Sequence, residues 1–358
     1  MQMRLFDWLR VHLPRAWQQR GLLAVCLLPL AGVYATLVVL RRSAYTAGLF
    51  KTRRVPAWVI VVGNVVAGGA GKTPVTMAIV QHLQNKGFRV GVISRGYGRT
   101  TQDTRAVLHD SLPTEVGDEP LLIQQTTGVP VWVARQRADA ALALLGAHPE
   151  VQILICDDGL QHLALARDLE ICVMDERGIG NGWPLPAGPL REPWPRPVDA
   201  VLHTAPDSHH APHAGHAAQD TNSQSLVSTE RTTSGNPTEY HATRQLADHA
   251  VDRHGQRVAL STLAPRPLHA VAGLARPEAF FDMLRQAGWP LASTHALPDH
   301  HDFADWTARP ELTWLCTEKD AAKLWPHEPG ALAVPLLLAP EARFWTDLEA
   351  RIPQALKP

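Results

Sequence analysis

The segment Gly63-Asn64-Val65-Val66-Ala67-Gly68-Gly69-Ala70-Gly71-Lys72-Thr73-Pro74 has the composition of a turn that wraps phosphate. Glycines let successive backbone N–H groups turn inward without a Cβ in the way. Lys72 has the reach for β- and γ-phosphoryl oxygens, and the Thr73 hydroxyl suits Mg2+. Pro74 fits the first turn of a helix, where no N–H is missed. Gly68, Gly69, Ala70, Gly71, Lys72, Thr73 and Pro74 are therefore the candidate nucleotide-binding residues. The common spelling of such loops has a glycine five residues before the Gly-Lys-Thr triplet. Here Val66 holds that place. Further along, Ile153-Leu154-Ile155-Cys156-Asp157-Asp158 is an apolar run ending in two carboxylates. That is the form of a metal-positioning strand end beside a phosphate loop. Two acids at a strand tip equally suit capping of the next turn.

These groups need a scaffold, and the surrounding pattern supplies one. Residues 58–63 (WVIVVG) are a continuous apolar run ending in glycine, which predicts a strand buried on both faces. A helical pattern follows from Thr73 to Lys86. Strands are predicted at 89–93, 129–134, 151–156 and 169–174, with a helix at 138–145. Strands at 200–204, 258–260, 268–272 and 312–317, with a helix at 277–287, continue the alternation. The sequence therefore predicts an α/β fold, a doubly wound and mostly parallel sheet with a second, smaller α/β lobe. Four segments are expected: a membrane-associated N-terminus (1–54), a nucleotide-binding catalytic domain (55–202), an insertion (203–256) and a C-terminal lobe closing the nucleotide cleft (257–358). The insertion is rich in histidine (His209, His210, His213, His216, His241, His249, His254) among small polar residues, and apolar periodicity is lost across it. It reads as a solvated loop.

The formal net charge is zero, which points away from nucleic acid. The balance hides an asymmetry: residues 1–60 carry nine Lys or Arg against Asp7 alone, and the remainder carries 25 basic and 33 acidic side chains. Residues 21–40 form an uncharged apolar run, long enough as a helix to match a bilayer core. Arg41-Arg42 close it, and Pro29 and Gly32 interrupt it. Basic residues on both flanks suit attachment to an anionic phospholipid surface, with a single crossing left open. The four cysteines, Cys26, Cys156, Cys172 and Cys316, match no zinc spacing and read as reduced thiols.

Seven stretches in order carry a resemblance: Val62-Gly63-Asn64 with Gly68 to Pro74; Ser94-Arg95-Gly96-Tyr97-Gly98; Gly117-Asp118-Glu119-Pro120; Asp157 to His162; Leu185 to Glu192; Asp299-His300; and Thr317-Glu318-Lys319-Asp320. Together with the apolar N-terminus, they resemble the tetraacyldisaccharide 4'-kinase family of the lipid A pathway. The family's loop shares the departure at Val66. The resemblance implies transfer of the ATP γ-phosphoryl group, with Mg2+, to the 4'-hydroxyl of a tetraacylated glucosamine disaccharide 1-phosphate. It further implies the bacterial inner membrane, with the catalytic body on the cytoplasmic face. The expected partners are the lipid substrate and the phospholipid surface, with no obligatory protein partner.

The family analogy selects Asp118 as the proton acceptor, with His300 as its dyad partner and Lys72 on the phosphates. Glycine-aspartate before an apolar run also describes a helix start with Asp118 as N-cap. Thr73, Asp157 and Asp158 are the candidate metal set. Ser94, Arg95, Tyr97, Glu119, Gln161, His162 and Arg191 are candidate substrate residues, with Arg135 and Arg137 as further candidates for phosphate. The family places Glu318 and Lys319 near the adenine. The rival reading is a membrane-tethered phosphate-loop NTPase that couples hydrolysis to a partner or to metal handling. Against it, the chain has no Asn-Lys-x-Asp guanine signature.

Overall fold

The structure is a computed structural model and describes residue 13 and residues 15–206, 237–263 and 265–357. In chain order the elements are α1 (Leu22–Cys26), α2 (Leu28–Thr46), β1 (Trp58–Gly63), α3 (Lys72–Asn85), β2 (Val90–Ser94), β3 (Arg105–Val107), α4 (Pro113–Val116), α5 (Asp118–Thr127), β4 (Val131–Val133), α6 (Arg137–Ala147), β5 (Ile153–Asp157), β6 (Leu169–Asp175) and β7 (Ala200–Pro206). There follow β8 (Thr238–Leu246), β9 (His249–Val251), β10 (Arg257–Ala259), β11 (Leu268–Ala272), α7 (Pro277–Gln286), β12 (Leu291–Ala296), β13 (Thr313–Thr317), α8 (Glu318–Leu324), β14 (Leu332–Val334), β15 (Leu336–Pro340) and α9 (Ala342–Arg351).

Nine strands form one sheet in the order β15-β8-β7-β6-β1-β5-β2-β4-β3. Its seven inner strands run parallel, and only the edge strands β15 and β3 are antiparallel. The apolar runs are explained by burial on both faces. Ile60 and Val62 pack with Val75 and Ile79 of α3 on one side. Val59 and Val61 pack with Leu144 and Leu154 on the other. A second sheet, β10-β9-β14-β13-β11-β12, has its own core around Phe281, Leu284 and Leu315.

Two expectations about organisation change. The stretch expected as an unstructured insertion contains β8, an inner strand of the large sheet between β7 and β15. Tyr240 and Ala242 are buried while Glu239, His241 and Thr243 are exposed. The strand therefore alternates, and its solvent face of histidine, threonine and glutamine masked the pattern. His209, His210, His213 and His216 lie outside the described residues. The C-terminal lobe likewise does not run to the end of the chain. From Leu336 the chain returns to the large sheet as β15, and α9 packs Phe344 and Leu348 into the first core. The chain thus crosses between the two sheets twice, at 247–248 and at Pro335. The crossings lie side by side, joined by a hydrogen bond from Ala247 N to Pro335 O of 2.9 Å.

The apolar run 21–40 is not one helix. It divides at Leu27, because Pro29 occupies the first turn of α2. Arg41 and Arg42 do not close α2, which continues to Thr46. No helix among the described residues is long and apolar enough to cross a membrane, so the crossing left open by the sequence has no helix to make it here.

The Tyr240 ring meets Phe344 edge-on at 5.3 Å, and its hydroxyl donates to Asp347 Oδ2 at 2.8 Å, so it ties β8 to α9. Tyr240→Ala should therefore destabilise the fold by about 3 kcal/mol. Denaturant unfolding checks this, and a loss under about 1 kcal/mol would restore the reading of this stretch as solvated.

Candidate active site

The glycine loop joins the carboxyl end of β1 to α3. Gly68 and Gly71 hold φ of +96° and +74°, in the left-handed region that a side chain resists. Gly71 caps α3, and Thr73 and Pro74 lie in its first turn. Val66 is buried and bridges to Leu190, while Ala67 N donates to Pro189 O at 2.7 Å and Arg191 N donates to Val65 O at 2.7 Å. The Leu185–Glu192 stretch is therefore the clamp that shapes the loop. A valine suits position 66 because the site is buried in the apolar cluster that also holds Val65 and Leu190. On the other side, Arg177 Nη2 donates to Gly69 O at 2.8 Å while its guanidinium also binds Asp175.

The acidic strand end sits beside the loop because β1 and β5 pair with Val62 opposite Asp157. Asp157 is buried. Its Oδ1 accepts from Thr76 Oγ1 at 2.8 Å, and its Oδ2 has no protein partner. Its carboxyl is pushed up to about 7, first by burial and then by the charges of Glu119 and Asp158. Asp158, at a φ of +48°, turns its carboxylate the other way, 3.6 Å from Lys72 Nζ and 3.2 Å from Arg191 Nη1. Burial opposes its ionisation, but Lys72, Arg191 and Arg137 outweigh it and hold the group below the usual range. Two adjacent carboxyls thus differ in affinity for a proton because the cations outweigh burial at Asp158, while burial and neighbouring acids outweigh Lys72 at Asp157.

Gln161 and His162 spend their polar groups within the protein. Gln161 Nε2 donates to Asn64 O at 2.9 Å and to Glu192 Oε1 at 2.8 Å. His162 Nε2 accepts from Arg137 N at 3.3 Å, and its pKa falls to about 4 through burial and the nearby Arg137 and Arg167. It is a neutral turn histidine. Arg95 is exposed and Ser94 is buried at the end of β2.

A second cluster faces the loop from α5 and the smaller lobe. A Cβ on Gly117 would lie 3.0 Å from Gly96 Cα and from Tyr97 O, so only glycine lets these two turns touch. That contact sets the Ser94–Tyr97 segment against the start of α5. The expected helix cap is absent: Gly117 is the N-cap residue, and the Asp118 side chain makes no capping bond. The Asp118 carboxylate is directed to the other lobe, with Oδ2 3.0 Å from His300 Nδ1 and 2.8 Å from Lys323 Nζ. Lys319 does not stand apart from this pair. Its ammonium lies 3.1 Å from Asp299 Oδ1, 3.4 Å from His300 Nε2 and 3.8 Å from Glu119 Oε1. Glu318 Oε2 accepts from Leu336 N at 3.1 Å, at the second crossing between the sheets, and burial raises its pKa.

Sequence reasoning missed Lys323, Arg177 and Tyr34. Lys323 falls one helical turn after Lys319, the spacing that puts both on one face of α8. Tyr34 on α2 donates its hydroxyl to Arg191 O at 2.7 Å, and Arg41 Nη1 donates to Gln161 O at 3.1 Å. The apolar N-terminal helix is thereby fastened to the site.

Residues 23–357 match the family of tetraacyldisaccharide-1-P 4'-kinases. A tetraacyldisaccharide 4'-kinase of Acidovorax sp. (strain JS42) is 54% identical over 339 residues, covering 94% of this chain and 93% of that protein. One of Leptothrix cholodnii is 44% identical over 364 residues, covering 97% of each. Among solved structures, the crystal structure of LpxK from Aquifex aeolicus in complex with ATP superposes with a TM-score of 0.75 at 26% identity, covering 94% of this chain and all of that one. A match along nearly its whole length, to relatives about half identical, places this chain in the tetraacyldisaccharide-1-P 4'-kinase family.

Proposed function

We propose that this chain transfers the γ-phosphoryl group of ATP to the 4'-hydroxyl of a tetraacylated glucosamine disaccharide 1-phosphate, a step of lipid A biosynthesis. Family membership, the names of the relatives and the ATP held by the Aquifex aeolicus structure support the reaction. The observation that carries it is the meeting of two clusters. Lys72 and the acidic strand end stand at the phosphate loop, and Asp118 with His300 reaches in from the cleft between the lobes. The hydrolase reading draws no support, since the relatives above are kinases.

Phosphoryl transfer needs positioning and charge neutralisation more than covalent chemistry. The N–H groups of the loop and the positive end of α3 cradle the phosphates, and Lys72 balances their charge. Asp118 accepts the proton of the acceptor hydroxyl as the new P–O bond forms, and His300 orients the carboxylate. Tyr97, exposed and with its ring 5.3 Å from that of His300, is placed to meet the sugar. Glu119, 3.8 Å from the Lys319 ammonium, flanks the same space. Arg191, besides neutralising Asp158, is available to an anionic group of the substrate.

The residues present fit Mg2+. Asp157 offers a buried carboxylate oxygen with no partner, beside the first turn of α3 where Thr73 sits. Among the described residues no group of three or more His, Cys, Asp or Glu could hold a metal alone. Mg2+ does not require one, because it binds through one or two carboxylates plus substrate phosphates. Thr73 and Asp157 would hold it, while the Asp158 carboxylate, expected from the sequence to share the metal, is turned to Lys72 and Arg191. When bound the ion neutralises charge on the β- and γ-phosphoryl oxygens.

The site belongs at a lipid surface. Leu30, Val33, Leu37 and Leu40 are all exposed along α2, with Arg41 and Arg42 next to them. Such a face rests in the headgroup region, and its cations favour anionic lipid. Phosphorylating the substrate there avoids drawing acyl chains into water at about 0.8 kcal/mol per methylene. On this reading the protein works at the cytoplasmic face of the inner membrane, where ATP is available.

Two outcomes are expected. With labelled ATP and the disaccharide lipid, Asp118→Asn should cut turnover by roughly 10²–10⁴-fold while ATP affinity holds. Label in the lipid at the wild-type rate would remove Asp118 from the mechanism. Replacing Leu37 and Leu40 with glutamate should release the protein from anionic phospholipid vesicles in a sedimentation assay. An unchanged bound fraction would move the lipid-contacting face elsewhere.

A further inference from the structure

Asp118 Oδ2 receives two groups from the smaller lobe, and only one of them, His300, has a part in the reading above. The other, Lys323, sits on α8 with its side chain 10% exposed, against an Asp118 side chain also 10% exposed. A buried ion pair of this kind adds little net stability, because desolvation offsets the attraction. A hydrophobic side chain of similar length would serve packing alone at least as well. The pair therefore calls for another role.

Donor inventory gives that role. Lys319 is a donor only, and its ammonium faces His300 Nε2 at 3.4 Å. Nε2 therefore accepts, and the ring proton is on Nδ1, directed at Asp118 Oδ2. With His300 Nδ1–H and the Lys323 ammonium both on Oδ2, that oxygen is committed, and Oδ1 is left for the substrate.

We infer that Lys323 is a positioning residue for the base: with His300 it occupies Oδ2 of Asp118, keeps the carboxylate ionised and leaves Oδ1 as the atom that receives the proton. This rests on the kinase reading above and deepens it. In the reaction, the hydroxyl O–H bond breaks as its oxygen bonds to the γ-phosphorus. The proton goes to Oδ1, and ADP departs with the electron pair of the broken P–O bond. The arrangement is complete only when the two lobes meet, since Asp118 belongs to one and Lys323, Lys319 and His300 to the other.

The electrostatics agree. Burial by itself would raise the Asp118 pKa. The His300 hydrogen bond, then the hydrogen bond and charge of Lys323 and the charge of Lys319, hold it below the usual carboxylate range. The other titratable groups around it are Glu119 on α5, Asp299 beside His300, and Tyr97 after β2. Both carboxylates are engaged by Lys319, at 3.8 Å and 3.1 Å. Lys323 is thus the cation whose removal leaves Asp118 least compensated.

The test is the pH dependence of kcat/KM for the lipid acceptor, for wild type, Lys323→Met and Lys323→Arg. In Lys323→Met the acid limb should move up by about 1–3 pH units, the effect of losing an adjacent opposite charge. The loss should accordingly deepen as the pH falls towards the acid limb and should vanish towards pH 9. Lys323→Arg should keep the wild-type limb. A limb superimposable on wild type, with a rate lowered equally at every pH, would overturn the inference and leave Lys323 a packing residue. Melting curves screen the variants. If Lys323→Met does not fold, Lys323→Gln carries the same comparison. Wild-type protein that leaves the lipid unlabelled would instead bring down the kinase reading itself.

Discussion

In the middle of the large sheet β1 and β5 run parallel, with Val62 opposite Asp157, and the geometry of the site follows from that register. It brings the glycine loop, which leaves β1 after Gly63, beside the acidic end of β5. A slip of one residue would exchange the faces on which Asp157 and its neighbours project. The register is secured by burial: both strands are covered on both faces, so every side chain on them has a packing partner to lose. The arrangement resembles other open parallel sheets, in which ligands are met at the carboxyl ends of the strands.

Around this frame the charges are sorted by direction. Asp158 faces Lys72 and Arg191 and stays ionised, while Asp157 faces Thr76, Glu119 and a buried space and holds its proton more tightly. Asp118 is the third carboxylate, and its cations come from the opposite lobe. Each acid is thus set by the element that faces it rather than by its own strand or helix. That is how carboxyls in one cleft come to lie on opposite sides of the usual value. The clamp from Leu185 to Glu192 links this sorting to the N-terminal helix, through Arg191 and the Tyr34 hydroxyl.

Much of this was legible in the sequence where local pattern and local structure coincide. The continuous apolar runs gave β1, β2, β5 and β6 to within two residues, and the glycine loop and acidic strand end announced themselves by composition. What was hidden is non-local. β8 carries polar residues on its open face and follows a histidine-rich stretch, so its alternation did not stand out. Asp118 reads as a helix cap until the smaller lobe is in place, because Gly-Asp before an apolar run fits both roles. Lys323 looks like any solvent-facing lysine on a short helix, and only the docking of that helix against α5 gives it a partner. Lys319, assigned by resemblance to the adenine side, lies within reach of Asp299, Glu119 and His300, a grouping that no local pattern announces. The break at Leu27 was signalled by Pro29, whose place in the first turn of α2 was the information needed.

The paired crossings between the two sheets bear on how this cleft is held together. The chain passes from β8 to β9 and back from β14 to β15 at adjacent points, joined across by Ala247 and Pro335. The smaller lobe is therefore joined to the large sheet by a single doubled strap, and its contact with α5 is intramolecular. Such tethering holds the α8 ammonium groups at a high effective concentration beside Asp118, so their pairing with it carries no cost of search.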